Sequence, residues 1–443
     1  MIDPTAIPAG KWGESVAGVD YTRILERVKL SVQRARLMSD EDLEAADHAH
    51  EVGTYHAPTQ PGVIGLRTGP GVFFPEVPGV PTLAAIIDDI WLADRDLSKT
   101  LTSETVTQYY VFLVRTILEG SETLNLSTIK KLFADMWQLK IVAWGVFRAL
   151  HGATIAVDEP LELGPFTIYN WEAHGDRIEL RYPPHYPGLH KRHRPGEGDL
   201  WICTEVVARD SDRAVEIADE RFEQFEAVIA FMLGWDARWQ EIGILNYQPT
   251  TRLDVIVLTE EHYGGHRGTE RRGTGIPVDV DAPWFRNTDV GHDLLWKYLL
   301  EDYGTKGAVD LHSRVLRTVI WAGKASRDRD CGRKLVQFLF ALEALFSQQD
   351  HTQTLSERLA ECVALCLGDT SESRRSYAKR TKDLYEKRSA LAHGRTQSIV
   401  PQDRRDAHTF VRDCARAFLT RPELSVLKSI KDFNEWIFAE KYR

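Results

Sequence analysis

The stretch Tyr385-Glu386-Lys387-Arg388-Ser389-Ala390-Leu391-Ala392-His393-Gly394 decides how the C-terminal part of the chain is interpreted. It places an arginine and a histidine five positions apart, and a glycine follows the histidine directly. Glycine takes the left-handed conformation of a helix end at the least steric cost. We therefore predict a helix that stops at Gly394, with His393 in its last turn, where the helix dipole favours the protonated imidazole.

Arginine and histidine are the two side chains that RNA cleavage without a metal requires. Histidine can take the proton of a ribose 2′-hydroxyl, and a guanidinium is a permanently charged, forked donor suited to phosphate. Ser389 lies one turn before His393 and could orient the ring, with Glu386 behind it. Arg388 is about 140° from His393 around an ideal helix, so the two point in different directions unless the last turn distorts, and two copies facing each other would bring both to one cleft. The alternative is that both residues only cap carbonyls and pair with acids.

Basic side chains and tyrosines flank this motif. A single RNA strand binds such a surface through its phosphates and by stacking bases on aromatic rings. The alternative is that these side chains form ordinary solvated helix faces. The candidate RNA-binding residues are Arg374, Arg375, Lys379, Arg380, Tyr385, Lys387 and Arg395, with Tyr377 and Lys382 among them.

Two further segments precede the motif. They are the apolar run Phe338-Leu339-Phe340-Ala341-Leu342-Glu343-Ala344-Leu345-Phe346 and the segment Leu355-Ser356-Glu357-Arg358-Leu359-Ala360. In this order, the three segments resemble the ApeA-like branch of the HEPN superfamily over residues 308–420, about a quarter of the chain. Ser389 departs from the family pattern, in which Asn, Asp or His often follows the arginine. We expect Glu343 to pair with an arginine of the bundle, either Arg388 or Arg358.

The resemblance implies a helical HEPN bundle that forms a homodimer with a composite site. It also implies a metal-independent endoribonuclease that leaves a 2′,3′-cyclic phosphate, with RNA, tRNA among the options, as substrate. Such domains occur in toxin and anti-phage systems, so an abortive-infection role, restraint by the N-terminal region and a phage-derived trigger are expected. Catalysis would rest on Arg388, His393 and Ser389, with Glu343 and Glu386 in support. The alternative is a non-catalytic HEPN module for dimerisation or for nucleotide or RNA binding.

Length and composition set the frame for these expectations. A chain of 443 residues, 43% hydrophobic and 27% charged, is typical of a globular protein with two or three domains. The net charge of −10 argues against general nucleic-acid binding, although a local basic cleft is compatible with it. Five scattered cysteines without paired spacing predict core residues in a reducing cytoplasm. No signal peptide and no membrane span are expected.

The pattern of apolar and turn residues predicts an α+β N-terminal region followed by an all-α C-terminal HEPN-type bundle. Three parts are predicted. Residues 1–155 are mostly helical, with a Pro/Gly-rich loop at 59–81, and residues 285–443 are the helical domain. Between them, residues 156–284 form a mixed α+β domain that could be a sensor and could form one unit with 1–155. Helices are predicted over 83–97, 104–119, 128–150 and 212–233. Strands are predicted over 163–169, 177–182, 200–208 and 252–258, and a loop over 260–275.

Other candidate sites have weaker support. The histidines at 185–193 and 262–266 lie in loops without carboxylates or cysteines at ligand spacing, and those at 48–56 lie among acids without a recognisable ligand pattern, so we predict no metal site and no cofactor. No phosphate-binding loop, nucleophile elbow or dinucleotide fingerprint is present, which argues against ATPase, serine hydrolase and dehydrogenase activities.

Overall fold

An α+β region precedes a helical C-terminal region, as the sequence predicts. The computed structural model describes residues 19–37, 63–64, 72–74, 81–156, 159–181, 200–234, 242–245, 250–258, 263–271, 277–304, 309–348, 353–395 and 398–442. The chain divides into two compact units, unit 1 (residues 1–146 and 205–218) and unit 2 (residues 147–204 and 219–443). The predicted three-part division stays a prediction, and the Pro/Gly-rich loop and the histidines at 48–56 and 185–193 lie largely outside the described residues.

Unit 1 is mostly helical. Its helices are α1 (Tyr21–Val32), α2 (Leu83–Ala93), α3 (Arg95–Thr100), α4 (Ser103–Leu118) and α5 (Leu126–Gln138). A small antiparallel sheet of order β1-β3-β2 consists of β1 (Arg36–Leu37), β2 (Val63–Ile64) and β3 (Val72–Phe73). The apolar faces of the helices bury a common core that includes Val28, Ile90, Val114, Phe133 and Met136.

One predicted helix of this unit, 83–97, is two helices, because Asp94 interrupts it. The Oδ1 atom of Asp94 accepts hydrogen bonds from the backbone N–H groups of Asp96 (2.9 Å) and Leu97 (3.1 Å), and so caps α3. Its Oδ2 atom accepts from the indole N–H of Trp137 at 3.0 Å. An aspartate that can satisfy the first N–H groups of a new helix favours a break at its own position.

A four-stranded sheet has the order β4-β8-β7-β6. Its strands are β4 (Val142–Leu150), β6 (Leu161–Leu163), β7 (Phe166–Tyr169) and β8 (Leu200–Ala208), and β5 (Ala153–Thr154) lies between β4 and β6 in sequence. The helix predicted over 128–150 is therefore wrong beyond Gln138. The segment 142–150 is rich in Val, Trp and Phe, which suit a strand, and pairing in the sheet overrides its helical spacing.

The strand predicted over 177–182 is also wrong for residues 177–181, which end the helix α6 (Trp171–Arg181). Asn170 caps this helix by accepting from the backbone N–H groups of Glu172 and Ala173, both at 3.1 Å. Alternation of apolar residues suggested a strand, but Leu180 is 86% exposed, so the alternation did not mark a buried face. By contrast, the structure confirms the strand at 200–208 and the helix predicted at 212–233, which is α7 (Ser211–Leu233).

The predicted loop over 260–275 is wrong for residues 263–271. These residues form β10 (Tyr263–Arg271), which pairs antiparallel with β9 (Thr250–Leu258). The strand predicted at 252–258 is confirmed within β9. Because β10 is rich in glycine and polar residues, its own sequence favours a turn, and the partner strand supplies the register. A further short strand, β11 (Val278–Asp279), pairs in parallel with β5.

The C-terminal part of unit 2 is helical, as predicted. Its helices are α8 (His292–Asp302), α9 (Asp310–Arg327), α10 (Cys331–Phe346), α11 (Leu355–Leu367), α12 (Ser371–Ala392), α13 (Pro401–Thr420), α14 (Pro422–Ser425) and α15 (Ile430–Lys441). Three-residue connections make antiparallel hairpins of α9 with α10 and of α11 with α12. Phe346, Phe418 and Phe433 pack together in the core, with ring centroids 5.1 to 6.1 Å apart.

Burial of the cysteines follows the prediction with one exception. Cys203, Cys362, Cys366 and Cys414 are buried, and burial raises the pKa of the Cys362 thiol to about 12. Cys331 is exposed, so the prediction of a core position is wrong for it. Among the described residues, none of the helices combines the length and the apolar composition that crossing a bilayer requires.

Candidate functional site

Helix α12 ends in the way that the sequence predicts. His393 is the C-cap residue, and Gly394 follows it in the left-handed region with φ +70°. The backbone N–H of Gly394 donates to the carbonyl of Leu391 (3.0 Å) and that of Arg395 to the carbonyl of Ala390 (2.9 Å). These two bonds form a Schellman motif, which satisfies carbonyls that the helix end would otherwise leave without a partner.

The His393 side chain is exposed at this helix end. The imidazole of His393 makes no hydrogen bond with the described residues. The backbone N–H of His393 donates to the Ser389 carbonyl at 3.1 Å. Ser389 is half-buried and Glu386 is exposed, and the side chains of Ser389 and His393 are not hydrogen-bonded to each other in the part of the chain described. The orienting roles of Ser389 and Glu386 therefore stay predictions.

Arg388 points toward α10 and pairs with Glu343, which confirms one of the two predicted partners. The Nη2 atom of Arg388 lies 3.1 Å from Oε1 and 3.4 Å from Oε2 of Glu343. The side chains are 19% and 17% exposed, so water screens the pair only partly. The other predicted partner, Arg358, donates instead to the carbonyl of Phe346 and to Asn434.

Aromatic rings surround the guanidinium of Arg388. Its central carbon lies 4.9 Å from the ring centroid of Phe340 and 5.5 Å from that of Tyr385. Burial raises the pKa of Glu343, and the nearby Arg388 only partly opposes this effect. The Nε atom of Arg388 and the Oε1 atom of Glu343 are buried and have no well-aligned hydrogen bond from the described residues. The pair is therefore incompletely satisfied, and a further hydrogen-bonding group would stabilise it.

Arg388 and His393 lie on different sides of α12. Arg375, Lys379, Lys382 and Glu386 are exposed and lie within about 40° of His393 around an ideal helix. We call these four residues and His393 the exposed stripe of α12. Arg388 is about 140° from His393 and faces Glu343 on α10. One copy of the chain thus presents the histidine to solvent and holds the arginine against the bundle.

Three of the candidate RNA-binding cations are engaged in ion pairs within the bundle. Arg374 pairs with Glu440 at 3.3 Å, Arg380 with Asp403 (2.8 Å) and Asp406 (2.7 Å), and Lys387 with Asp403 (2.7 Å). The candidates that remain exposed are Arg375, Lys379 and Arg395, together with Lys382. Tyr385 is half-buried beside Arg388, and Tyr377 packs edge-on against Phe410 with ring centroids 5.4 Å apart.

Asp403 is a buried residue of the site region that sequence reasoning missed. It is fully buried and accepts hydrogen bonds from Lys387 (2.7 Å), Arg380 (2.8 Å) and the backbone N–H of Val400 (2.9 Å). Burial alone would raise the pKa of Asp403, but these bonds hold it below its ordinary value. The proline at 401 and the acid at 403 form a typical helix start, which was the available signal. Asp403 thereby holds the start of α13 against α12, in part through Lys387, which directly precedes Arg388.

Comparison with known proteins returns no match: no protein-family model, curated protein or solved structure matches the chain. Within the described ranges, no three His, Cys, Asp or Glu side chains are arranged to hold a metal ion. The site consists of an exposed histidine, a half-buried arginine with an acidic partner and exposed cations nearby. Such groups can move a proton and bind a phosphate without further components.

Proposed function

We propose that the protein is a metal-independent endoribonuclease of the HEPN type, with Arg388 and His393 as its catalytic residues. The observation that carries the proposal is the exposed His393 at the end of α12. It is free of side-chain partners among the described residues, follows Arg388 by five positions and lies in the exposed stripe of α12 with the cations Arg375, Lys379 and Lys382. An imidazole that is kept accessible beside cations suits proton transfer on a polyanionic substrate.

In the proposed reaction, a ribose 2′-oxygen attacks the adjacent phosphorus. His393 takes the 2′-hydroxyl proton, the new O2′–P bond forms, and the P–O5′ bond breaks as the imidazolium gives this proton to the 5′-oxygen. The products are a 2′,3′-cyclic phosphate and a 5′-hydroxyl. The guanidinium of Arg388 stabilises the charge that develops on the phosphoryl oxygens. A positioned acid–base group of this kind accelerates a reaction by on the order of 10² to 10⁴.

The opposite directions of Arg388 and His393 support a composite site in a homodimer. In a two-fold symmetric dimer, each copy of α12 would contribute to a cleft shared with the other copy. The scissile phosphate would then compete with Glu343 for the guanidinium. Burial raises the pKa of Glu343, so its ionised form is less stable at this position than in water. This lowers the free-energy cost of replacing Glu343 with phosphate as the partner of Arg388.

The biological role follows from the family resemblance. We propose a toxin-like or anti-phage nuclease that acts in the cytoplasm on RNA and that the N-terminal region restrains until a phage-derived signal arrives. Uncontrolled RNA cleavage would harm the host cell, which is the reason to expect such restraint.

One observation favours a second candidate function, a non-catalytic HEPN module for dimerisation or for nucleotide or RNA binding. Arg388 is paired with Glu343 and packed against Phe340, and these contacts by themselves would explain an arginine at this position. In that case His393 would be an ordinary C-cap residue.

Growth of cells that express the protein distinguishes these two functions. We expect the wild-type protein to slow growth and His393→Ala to remove the effect. Arg405→Ala is the matched control, because Arg405 is an exposed residue of α13 whose side chain bonds only to Gln402 among the described residues. Equal growth inhibition by all three proteins would contradict the catalytic role of His393.

A further inference from the structure

A second cleft lies in the helical bundle, away from the end of α12. It has a volume of about 250 Å³ and opens between the end of α11, the second turn of α12 and the last turns of α13. Tyr377 in its wall is eleven residues before Arg388 on α12, about 16 Å along the helix axis. The cleft is thus separate from Arg388 and His393, although Tyr377 is also among the candidate RNA-binding residues, and the described residues that line it belong to unit 2.

Two arginines give the cleft a positive charge. Arg416 is exposed, and its side chain has no ion pair or hydrogen bond with any described residue. The Nη1 atom of Arg421 donates to the carbonyl of Cys366 at 2.7 Å, which holds the guanidinium in place. Its other N–H groups remain available to a ligand. Asp413, the acid of the cleft, has no ion pair within 4 Å among the described residues, and the nearby Arg412, Arg416 and Arg421 partly oppose the rise in its pKa that burial causes. An exposed arginine that has no ion pair or hydrogen bond with a described residue, in a concave site of a chain with net charge −10, is suited to an anion.

The rest of the lining indicates what else the anion carries. Leu367, Ala417 and the ring of Tyr377 form an apolar wall, and Phe410 holds that ring edge-on. Asp413 offers carboxylate oxygens that accept hydrogen bonds from hydroxyl groups. Ligand pockets commonly combine apolar walls with a few placed polar groups, and typically measure about 300 to 1,000 Å³. A cleft slightly below that range holds one small molecule.

We propose that this cleft binds a phosphate monoester of a small hydroxylated molecule. Arg416 and Arg421 bind the phosphate, Asp413 accepts a hydrogen bond from a hydroxyl, and the wall with Tyr377 covers the carbon skeleton. Arginine forks match the oxygens of a terminal phosphate in a bidentate way. A free sugar phosphate and a mononucleotide share this chemistry.

Isothermal titration of the 443-residue protein tests the proposal. The probes are ribose 5-phosphate, AMP, inorganic phosphate and, as the uncharged control, ribose. We expect saturable binding of a phosphate monoester and none of ribose. AMP binding more tightly than ribose 5-phosphate identifies a nucleotide site, and the reverse order identifies a sugar phosphate site. Absence of saturable binding for every phosphorylated probe at millimolar concentrations overturns the proposal.

Substitutions in the cleft test whether the phosphate monoester binds there. Arg416→Gln, at an exposed position that leaves the fold intact, is expected to weaken monoester binding about tenfold or more, because a charge-assisted hydrogen bond is lost. The matched control Arg405→Gln, on the exposed face of the same helix, is expected to leave it unchanged. Asp413→Asn should reduce the preference for ribose 5-phosphate over inorganic phosphate. Equal affinity in wild type and Arg416→Gln, or an equal loss in Arg405→Gln, contradicts the assignment.

The outcome is independent of the ribonuclease proposal. Binding is measured without RNA, and neither Arg416 nor Asp413 belongs to the site at the end of α12. A protein that binds no phosphate monoester can still cleave RNA, and a protein without nuclease activity can still bind the monoester.

Discussion

Removal of Arg388 should destabilise the protein far more than neutralisation of Glu343, although the two side chains form one ion pair. Arg388→Ala leaves the carboxylate of Glu343, which is 17% exposed, without its cation. An unpaired charged group that is only partly exposed in this way costs about 1 to 3 kcal/mol. Loss of the contact between the guanidinium and the Phe340 ring adds about 0.5 to 1 kcal/mol. We expect a total loss of about 1.5 to 4 kcal/mol in the free energy of unfolding.

Glu343→Gln should change the free energy of unfolding by no more than about 1 kcal/mol. The amide oxygen can still accept from Arg388, and burial already opposes the ionised carboxylate, since the pKa of Glu343 is raised. The double variant Arg388→Ala/Glu343→Gln should therefore be more stable than Arg388→Ala by about 1 kcal/mol or more. If Arg388 is catalytic, the double variant regains stability and still does not cleave RNA.

The pH dependence has a defined sign. A carboxyl whose pKa is higher in the folded than in the unfolded protein contributes full stability below the unfolded pKa, and this stability is lost as the pH rises through the folded pKa. Arg388→Ala removes the opposing cation and raises the folded pKa of Glu343 further. The free energy of unfolding of Arg388→Ala should therefore come closer to that of the wild type as the pH falls from about 7 toward the unfolded carboxyl pKa of about 4.

Urea unfolding followed by circular dichroism at both ends of that pH range measures these differences. The reasoning is refuted if Glu343→Gln costs as much as Arg388→Ala, or if the deficit of Arg388→Ala does not depend on pH.

Three other substitutions test how the bundle is held together, each by its thermal or urea unfolding. Asp403→Asn should lower the free energy of unfolding by about 2 to 3 kcal/mol, because two cations lose their buried acid. The pKa of Asp403 is lowered in the folded protein, so its contribution to the stability of the wild type is present near neutral pH. This contribution is lost in acid, as the pH falls through the folded pKa. Gly323→Ala should prevent normal folding, since its Cβ would lie 1.8 Å from the carbonyl oxygen of Ala227. Gly394→Ala should cost only about 1 kcal/mol, from its positive φ, because no described residue beyond its chain neighbours lies within 4 Å of the added Cβ.

Much of the C-terminal region could be predicted from the sequence, because local signals and the final structure agree there. Apolar residues at helical spacing mark α9 to α13, and Gly394 marks the end of α12 through its own backbone preference. The pairing of Glu343 was also predictable, since one acid in an apolar helix requires a cation.

The errors lie where a distant partner overrides the local pattern. Residues 142–150 have helical spacing but join a sheet, and residues 263–271 favour turns but pair with β9. The choice of Arg388 over Arg358 and the engagement of Arg380 and Lys387 by Asp403 depend on how the helices pack. Spacing along one helix cannot provide this information.

Cleavage of total RNA and tRNA in EDTA by purified protein, wild type beside His393→Ala, tests the ribonuclease proposal most directly. Because His393 is exposed, the variant should keep the wild-type unfolding temperature, and circular dichroism checks this. We predict that the wild type produces fragments with 2′,3′-cyclic phosphate ends and that the variant produces none. Undiminished cleavage by His393→Ala, or no cleavage by either the 443-residue protein or residues 285–443 alone, would contradict it.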